Sequence, residues 1–300
     1  MIDAPSSTWF TAPTHWGWLI VLYFFIGGLA GGSYFLAVLI DLFGRREDRA
    51  LARIGYYIAF PAIALSGLLL PVDLTRPLRF WHMVIESNTY RPMFKYWSPM
   101  SLGVWALLIF GFFSFLSFLA ALAEDGRIDR PQLRALRPPG ALGTVLAMIG
   151  GTAGFYIAGY TGVLLAVTNR PIWSDTPLLG MLFVASAAST SAASIMLLAH
   201  RSGLTTPALD DLHRMDDWVT ILELLFLIAV VISLGPVAKA WLSAWGVLLL
   251  LAVVVGMIAP LVLSWRARQL RHWNVVTSAV LVLLGGFLLR VVIIFSSEAI

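Results

Sequence analysis

A short charged segment, Asp73 to His82, lies between two long apolar stretches and combines side chains suited to proton chemistry. It contains a carboxylate (Asp73), two guanidiniums (Arg76 and Arg79) and an imidazole (His82). Histidine is the side chain that changes charge near neutral pH. Together these groups could bind a polar headgroup and relay protons. The alternative is a capped helix end in which Asp73 pairs with Arg76.

Tyrosines within the apolar stretches could approach the same place. Tyr156 and Tyr160 are four residues apart, so they share one helix face. At 1.5 Å per residue, Tyr160 lies about 13 Å below the end of its helix near Asn169. Tyr23 lies about 10 Å in from the start of the first apolar stretch, which places it at a similar depth. We therefore expect Tyr23 and Tyr160 to meet below Asp73, unless each merely bonds nearby backbone.

One acidic residue, Glu223, falls inside an apolar stretch. Burying a charge at the centre of a membrane helix costs about 2.5 to 3.5 kcal/mol on insertion scales, so Glu223 is a functional candidate. We expect it near the inner end of its helix, either in a proton path or as a protonated packing acid. Arg290 is expected to reach the outer interface instead of pairing with Glu223.

The composition defines the class of protein that positions these groups. Of the 300 residues, 59% are hydrophobic and only 12% are charged, which is typical of an integral membrane protein. The net charge of +4 does not indicate nucleic acid, because the basic residues lie in short loops between apolar stretches.

Eight stretches are long enough to span a bilayer as helices. They cover approximately residues 16–40, 54–72, 97–123, 141–167, 176–199, 218–238, 241–264 and 273–295. The first is long enough to span and lacks a basic leader, so we expect it to be retained. The sequence thus predicts an all-α integral membrane protein and a single membrane domain over residues 1–300. Its halves, 16–167 and 176–295, are expected to form two four-helix bundles.

The basic residues predict the orientation of the protein. The loops after the first, third, fifth and seventh stretches hold 13 Lys and Arg residues, whereas the other loops hold 6. Cytoplasmic loops carry the excess. Both termini and the segment from Asp73 to Lys95 should therefore face outward.

The residue types argue against several redox centres in this protein. It has no cysteine, so it can ligate no iron-sulfur cluster through thiolates. Haem in a helical bundle commonly requires buried histidines, and all five fall at helix ends or in loops: His15, His82, His200, His213 and His272. No metal-binding spacing is present, and the glycines Gly27 to Gly32 lie inside a spanning helix. They allow close helix packing, and they could also leave a flat slot for a ligand.

The sequence resembles the NrfD/PsrC family of polysulfide-reductase-like membrane subunits. The resemblance covers most of the first four helices. It rests on the Gly27 to Gly32 run, the Asp73 to His82 string, Ser98-Pro99-Met100-Ser101 leading to Trp105, and Gly159-Tyr160 followed by Asn169-Arg170-Pro171. At a position in the first helix where a relative has histidine, this protein has Tyr23.

The resemblance implies a quinone-reactive subunit of a respiratory complex in a bacterial or archaeal inner membrane. Menaquinone or ubiquinone would be its substrate, and an iron-sulfur ferredoxin-like subunit would dock on the outer face beside a molybdopterin enzyme containing molybdenum or tungsten. Asp73, Arg76, His82 and Tyr160 are the expected catalytic residues. The quinone would contact the following residues: Tyr23, Gly27, Tyr156, Tyr160, Asn169 and Arg170.

The competing class is a membrane transporter or channel. In that case Glu223 and the hydroxyl-rich fifth helix, Ser186 to Ser194, would line a path across the membrane. The polar residues cluster at one membrane face instead, which favours the quinone site. A purely structural anchor would leave that cluster unexplained.

Overall fold

The computed structural model describes residues 16–270 and 275–298, and the described part is built from helices. His15, Arg271 and His272 lie outside the described residues. The helices are α1 (Trp18–Phe43), α2 (Arg49–Asp73), α3 (Pro99–Glu124), α4 (Ala141–Ala166), α5 (Leu179–Arg201), α6 (Pro207–Leu234), α7 (Ala244–Val253), α8 (Ala259–Leu270) and α9 (Val275–Phe295).

Within the described residues, eight helical segments are long and apolar enough to cross a membrane, as the sequence predicts. α7 and α8 form one of these segments, because the π-helical turn Val254–Ile258 joins them without a break. Successive spans alternate in direction. The loops after α1, α3 and α5 therefore lie on one side, here called the arginine-rich face, and those after α2, α4 and α6 lie on the other, the pocket face. That the arginine-rich face is cytoplasmic stays a prediction.

α1 lies at the centre of the molecule and packs against α2, α4, α5 and α9. Its glycines permit close approach, because a Cβ atom on Gly31 would lie 2.3 Å from the carbonyl oxygen of Gly154 on α4. Gly32 faces α5 in the same way, where a Cβ would lie 2.4 Å from Ser191 Oγ. Close helix packing is therefore sufficient to explain the presence of glycine at Gly31 and Gly32. It also makes α1 the element that joins the two halves of the protein.

A buried ionic cluster fastens α1, α2 and α3 together at the arginine-rich face. The Arg137 guanidinium donates two hydrogen bonds of 2.6 Å to the Asp41 carboxylate, and neither side chain is exposed to solvent. Arg137 also pairs with Glu124, which in turn pairs with Arg49. Tyr56 donates a 2.9 Å hydrogen bond to the Asp41 carboxylate. The hydrogen bonds and the charge of Asp41 raise the pKa of Arg137 despite its burial, so the guanidinium stays charged.

Candidate functional site: a cavity below the pocket face

A cavity of about 520 Å³ lies beneath the charged segment, among α1, α2, α3 and α4. Its walls are largely apolar, and three polar side chains reach it from three different helices: Tyr23 of α1, Asp73 of α2 and Tyr160 of α4. This volume lies within the range of small-molecule sites, and such sites combine apolar walls with a few convergent polar groups. The structure thus brings together two predicted tyrosines and the predicted acid, with the tyrosines at the shared depth expected.

The Tyr160 hydroxyl is positioned by the start of α3. It donates a 2.9 Å hydrogen bond to the backbone carbonyl of Pro99, and the side chain is only 4% exposed. This approach requires a glycine one turn further along α3, because a Cβ atom on Gly103 would lie 2.0 Å from the Tyr160 hydroxyl. Gly103 lines the cavity but was not among the sequence candidates. The sequence did contain an indication of this role, because Gly103 lies four residues after Pro99 in the stretch that carries the family resemblance.

The segment above the cavity is held onto α3 by short-range hydrogen bonds. Ser98 caps α3 by accepting a 3.4 Å bond from the backbone N–H of Ser101, with Pro99 at the first helical position. The Trp105 indole donates a 2.9 Å bond to the carbonyl of Met93. The polypeptide between α2 and α3 is thereby folded across the cavity mouth. Phe80 and Met83 of its 3-10 helix, Pro77–Met83, line the cavity.

One wall of the cavity is shared with the exterior of the bundle. Leu68 of α2 and Leu108 of α3 both line the cavity, and they are 66% and 47% exposed. Because α2 and α3 are membrane-spanning helices, their exterior faces hydrocarbon. At the contact between α2 and α3, the cavity is therefore separated from the lipid by the side chains of Leu68 and Leu108.

Asp73 is the last residue of α2. The C-terminal end of a helix carries a partial negative charge, so the helix dipole does not favour a carboxylate there. Within the described residues it forms no ion pair, so the alternative in which Arg76 pairs with it is not observed. Arg76 is exposed and does not line the cavity. The His82 ring packs against the Trp81 ring at a tilt of 56°, with centroids 3.8 Å apart, and His82 also does not line the cavity.

The remaining sequence candidates do not line this cavity. Tyr156 stacks on Tyr160, with ring centroids 5.6 Å apart, and faces the exterior of the bundle. A Cβ atom on Gly27 would lie 3.9 Å from the Tyr23 ring, so this glycine is in ordinary contact behind the tyrosine. Asn169 lines a different cavity at the pocket face. Arg170 lies over the Trp173 ring.

Two aromatic rings connect Arg170 to the cavity. Its guanidinium carbon is 5.8 Å from the centre of the Trp173 ring. Trp173 stacks on Trp16, with centroids 4.9 Å apart, and Trp16 lines the cavity. Trp16 and the neighbouring Phe24 were not among the sequence candidates, because aromatic residues near a helix start are equally expected at a membrane interface.

The expected positions of Glu223 and Arg290 were wrong. Arg290 is 0% exposed, its guanidinium carbon lies 5.2 Å from the centre of the Phe183 ring, and it donates a 3.1 Å hydrogen bond to Ser186 Oγ. Glu223 is also buried, beside Ser186 and within electrostatic reach of Arg290. The error came from the start of α6, which is Pro207 and not residue 218. Glu223 thus lies about 24 Å along α6 and Arg290 about 22 Å along α9, at matching depth.

The fold and the cavity together define the class of protein. It is a multi-pass helical membrane protein with a mostly apolar, ligand-sized cavity near one membrane face. The family model described as polysulphide reductase, NrfD, matches residues 8–300. The protein belongs to the NrfD family.

Two of the relatives are similar over nearly their whole lengths. A polysulfide reductase polypeptide of Wolinella succinogenes is 29% identical over 94% of each sequence. Protein NrfD of Escherichia coli is 27% identical over 94% of this sequence and 95% of its own. A selenate reductase polypeptide of Mesobacillus selenatarsenatis is 29% identical over a shorter region, 25% of this sequence and 18% of its own. Among the described residues, no group of three or more His, Cys, Asp or Glu side chains could hold a metal ion.

Proposed function

We propose that this protein is the quinol-reactive membrane subunit of a respiratory oxidoreductase complex. The observation that carries the proposal is the cavity, where Tyr23, Asp73 and Tyr160 converge in an apolar pocket beside the lipid. The names of the relatives, a polysulfide reductase and a selenate reductase, support a redox complex over a transporter.

The cavity residues fit a quinone headgroup. A quinol supplies two electrons and two protons when it is oxidised. The Tyr23 and Tyr160 hydroxyls can hydrogen-bond the two ring oxygens, and the aromatic and aliphatic walls can enclose the ring. Tyr160 must release the Pro99 carbonyl to do so, which a rotation of the hydroxyl hydrogen achieves.

Asp73 is the group placed to accept a proton. It reaches the cavity at one end and is exposed at the pocket face at the other, with no ion pair among the described residues to compete for it. Protons would then leave towards the pocket face through the segment that carries Arg76 and His82. Their exposed or half-buried positions suit release to solvent and not contact with the ring.

The surface above the cavity fits a redox partner. It exposes large apolar side chains, Leu78, Tyr90 and Trp97 among them, and aromatic residues are enriched in protein interfaces. Four basic residues lie in the same segment: Arg76, Arg79, Arg91 and Lys95. We propose that an iron-sulfur subunit docks here with an acidic surface, beside a molybdopterin catalytic subunit, and accepts the electrons.

Tyr160→Phe tests the assignment of the headgroup contact. The change removes the hydroxyl and keeps the ring, so we expect quinol turnover to fall about tenfold, the value of one lost hydrogen bond of about 1.4 kcal/mol. The measurement is oxidation of a short-chain quinol by membranes that contain the whole complex, with assembly checked by copurification of the partner subunits.

Tyr57→Phe is the matched control. The Tyr57 hydroxyl bonds Asp125 at the arginine-rich face, far from the cavity, so its loss should leave the turnover unchanged. Unchanged turnover in Tyr160→Phe, with normal assembly, would remove Tyr160 from the site.

A further inference from the structure

A second cavity at the pocket face, separate from the quinol cavity, lies between loops that belong to the two halves of the protein. Its volume is about 680 Å³. Asn169, Ser174 and Asp175 line it from the loop after α4, and Lys239 lines it from the loop after α6. Asn169 is three residues past the end of α4, and Lys239 is five residues past the end of α6. The cavity therefore lies where the spans leave the hydrocarbon, at the level of phospholipid headgroups.

The turn that carries Asp175 holds its polar groups in place. Ile172 has a φ of 69°, in the left-handed region that β-branched residues rarely adopt. The Asp175 carboxylate accepts a 2.8 Å hydrogen bond from the Ile172 backbone N–H, and Ser174 Oγ donates a 2.8 Å bond to the Arg170 carbonyl. The Ile172 side chain is fully buried. This wall of the cavity is thus formed before a ligand arrives, which lowers the entropic cost of binding.

The cavity presents one negative and one positive side chain that do not neutralise each other. Among the described residues, neither Asp175 nor Lys239 forms an ion pair. One carboxylate oxygen of Asp175 bonds Ile172, and the other is available to a ligand. A ligand that satisfies both walls carries a cation for Asp175 and an anion for Lys239. The remaining lining is apolar: Pro171, Pro236, Val237 and Ala240.

An apolar groove continues from the cavity into the membrane along the exterior of α5. Met181 and Val184, three residues apart, share this face of the helix, and Met181 is 48% exposed. On one side α4 approaches closely, because a Cβ atom on Gly159 would lie 2.8 Å from Val184. On the other side Ser189 bonds Asp216 of α6. The groove starts in the first turn of α5, directly after the loop that lines the cavity. A lipid acyl chain is the chemical group that suits such a groove, because the groove faces hydrocarbon.

We propose that the second cavity binds the headgroup of an aminophospholipid, a lipid with one phosphate and one primary ammonium, such as phosphatidylethanolamine, and that its acyl chain follows α5. The Lys239 ammonium and the Asn169 amide donate hydrogen bonds to the phosphate. The Asp175 carboxylate and the Ser174 oxygen accept hydrogen bonds from the lipid ammonium. The bound lipid connects a loop of the first half to a loop of the second.

The charges select this lipid over an anionic one. One acid and one base make the cavity neutral, which matches a zwitterionic headgroup. Phosphatidylglycerol carries the phosphate without the ammonium, so it would leave Asp175 without a partner and place a second negative charge in the cavity. The site does not depend on the quinol cavity or on the proposed function.

The test uses a photoreactive group beside the expected acyl chain. The protein has no cysteine, so in this protein Met181→Cys gives a single attachment point for a benzophenone maleimide. The control is Met148→Cys, on the exterior of α4, about 27 Å from the pocket-face end of that helix and 56% exposed. The assembled complex is placed in lipid discs with equal amounts of phosphatidylethanolamine and phosphatidylglycerol that have the same acyl chains. After illumination, mass spectrometry of this protein identifies the attached molecule.

We expect phosphatidylethanolamine adducts at position 181 to exceed phosphatidylglycerol adducts about tenfold, the effect of one charge-assisted hydrogen bond. The adducts at position 148 should follow the equal composition of the disc. An equal ratio at position 181, an excess of phosphatidylglycerol there, or adducts with peptides of a partner subunit would overturn the proposal.

Two further variants, made in the Met181→Cys background, test the headgroup contacts. Asp175→Asn keeps an oxygen to accept the Ile172 N–H but leaves the cavity positively charged, so the adduct ratio should fall to equality or reverse. Lys239→Gln, at an exposed position, removes the phosphate contact and should return the ratio towards that of the disc. The matched control is Glu86→Gln, which removes an acid in the loop between α2 and α3, outside this cavity. An unchanged tenfold excess in both Asp175→Asn and Lys239→Gln would contradict the assigned headgroup site.

Discussion

Gly103→Ala is expected to reduce quinol turnover about 100-fold, the scale of loss caused by displacing a reacting group by about 1 Å. The added methyl group would lie 2.0 Å from the Tyr160 hydroxyl oxygen, so the tyrosine and its bond to Pro99 must move. Gly103 also lines the cavity, so the methyl group takes space from the ligand. Initial rates over a range of quinol concentrations, in membranes that hold the complex, measure the effect on kcat and KM.

Gly111→Ala is the matched control on the same helix. A Cβ atom at Gly111 meets nothing within 4 Å. Alanine is favoured over glycine in a helix by about 1 kcal/mol, so this variant should be as active and at least as stable as the parent. Parental turnover in Gly103→Ala, with Gly111→Ala also normal, would show that the cavity does not bind the quinol.

Arg137→Leu is expected to destabilise the protein by about 3 to 5 kcal/mol, because it leaves the Asp41 carboxylate buried without its partner. Asp41 has 0% side-chain exposure and receives two short hydrogen bonds from Arg137. We expect a large fall in the melting temperature of the protein in detergent and poor recovery of the complex. The Asp41→Asn, Arg137→Leu double variant should recover part of the loss, since no unpaired charge then remains at Asp41.

Arg45→Leu provides the comparison for an exposed ion pair. Arg45 lies 3.6 Å from Glu47, and the side chains are 74% and 58% exposed. Pairs of this kind contribute less than about 1 kcal/mol. A comparable loss of stability in Arg45→Leu and Arg137→Leu would contradict the role assigned to the buried cluster.

Glu223→Gln is expected to change the charge moved across the membrane per quinol oxidised, while quinol oxidation itself continues. The amide cannot take up or release a proton, whereas the cavity around Tyr160 is unaltered. The measurement is the proton change on each side of sealed vesicles during turnover. An unchanged ratio of protons to quinol would remove Glu223 from energy conservation.

The sequence was sufficient to predict the number of spans and the depth of the tyrosines. Apolar length identifies spanning helices with few competing interpretations, and 1.5 Å per residue places Tyr23 and Tyr160 level with each other. The same arithmetic failed for Glu223 because its starting point was wrong. Charged residues such as Asp210 and Asp216 suggested a loop, whereas α6 continues through them.

Contacts between helices could not be derived from spacing. The spacing of residues along α3 does not show that Gly103 meets the Tyr160 ring of α4 whereas Gly111 meets nothing within 4 Å. Likewise, Arg137 occupies a loop in the sequence, where exposure is the ordinary expectation, yet it is fully buried against Asp41. Such pairings depend on how the helices are arranged around α1, and one sequence contains no direct record of that arrangement.

Under the proposed function, the thin wall formed by Leu68 and Leu108 lets a quinol reach the cavity from the lipid. A quinol with an isoprenoid tail can place its headgroup among the tyrosines while the tail stays in the acyl chains, so it need never cross the aqueous phase. The quantity that saturates the site is then the mole fraction of quinol in the surrounding lipid. Diluting a proteoliposome suspension with buffer should leave the turnover per complex unchanged, and diluting its membranes with quinol-free lipid should lower it.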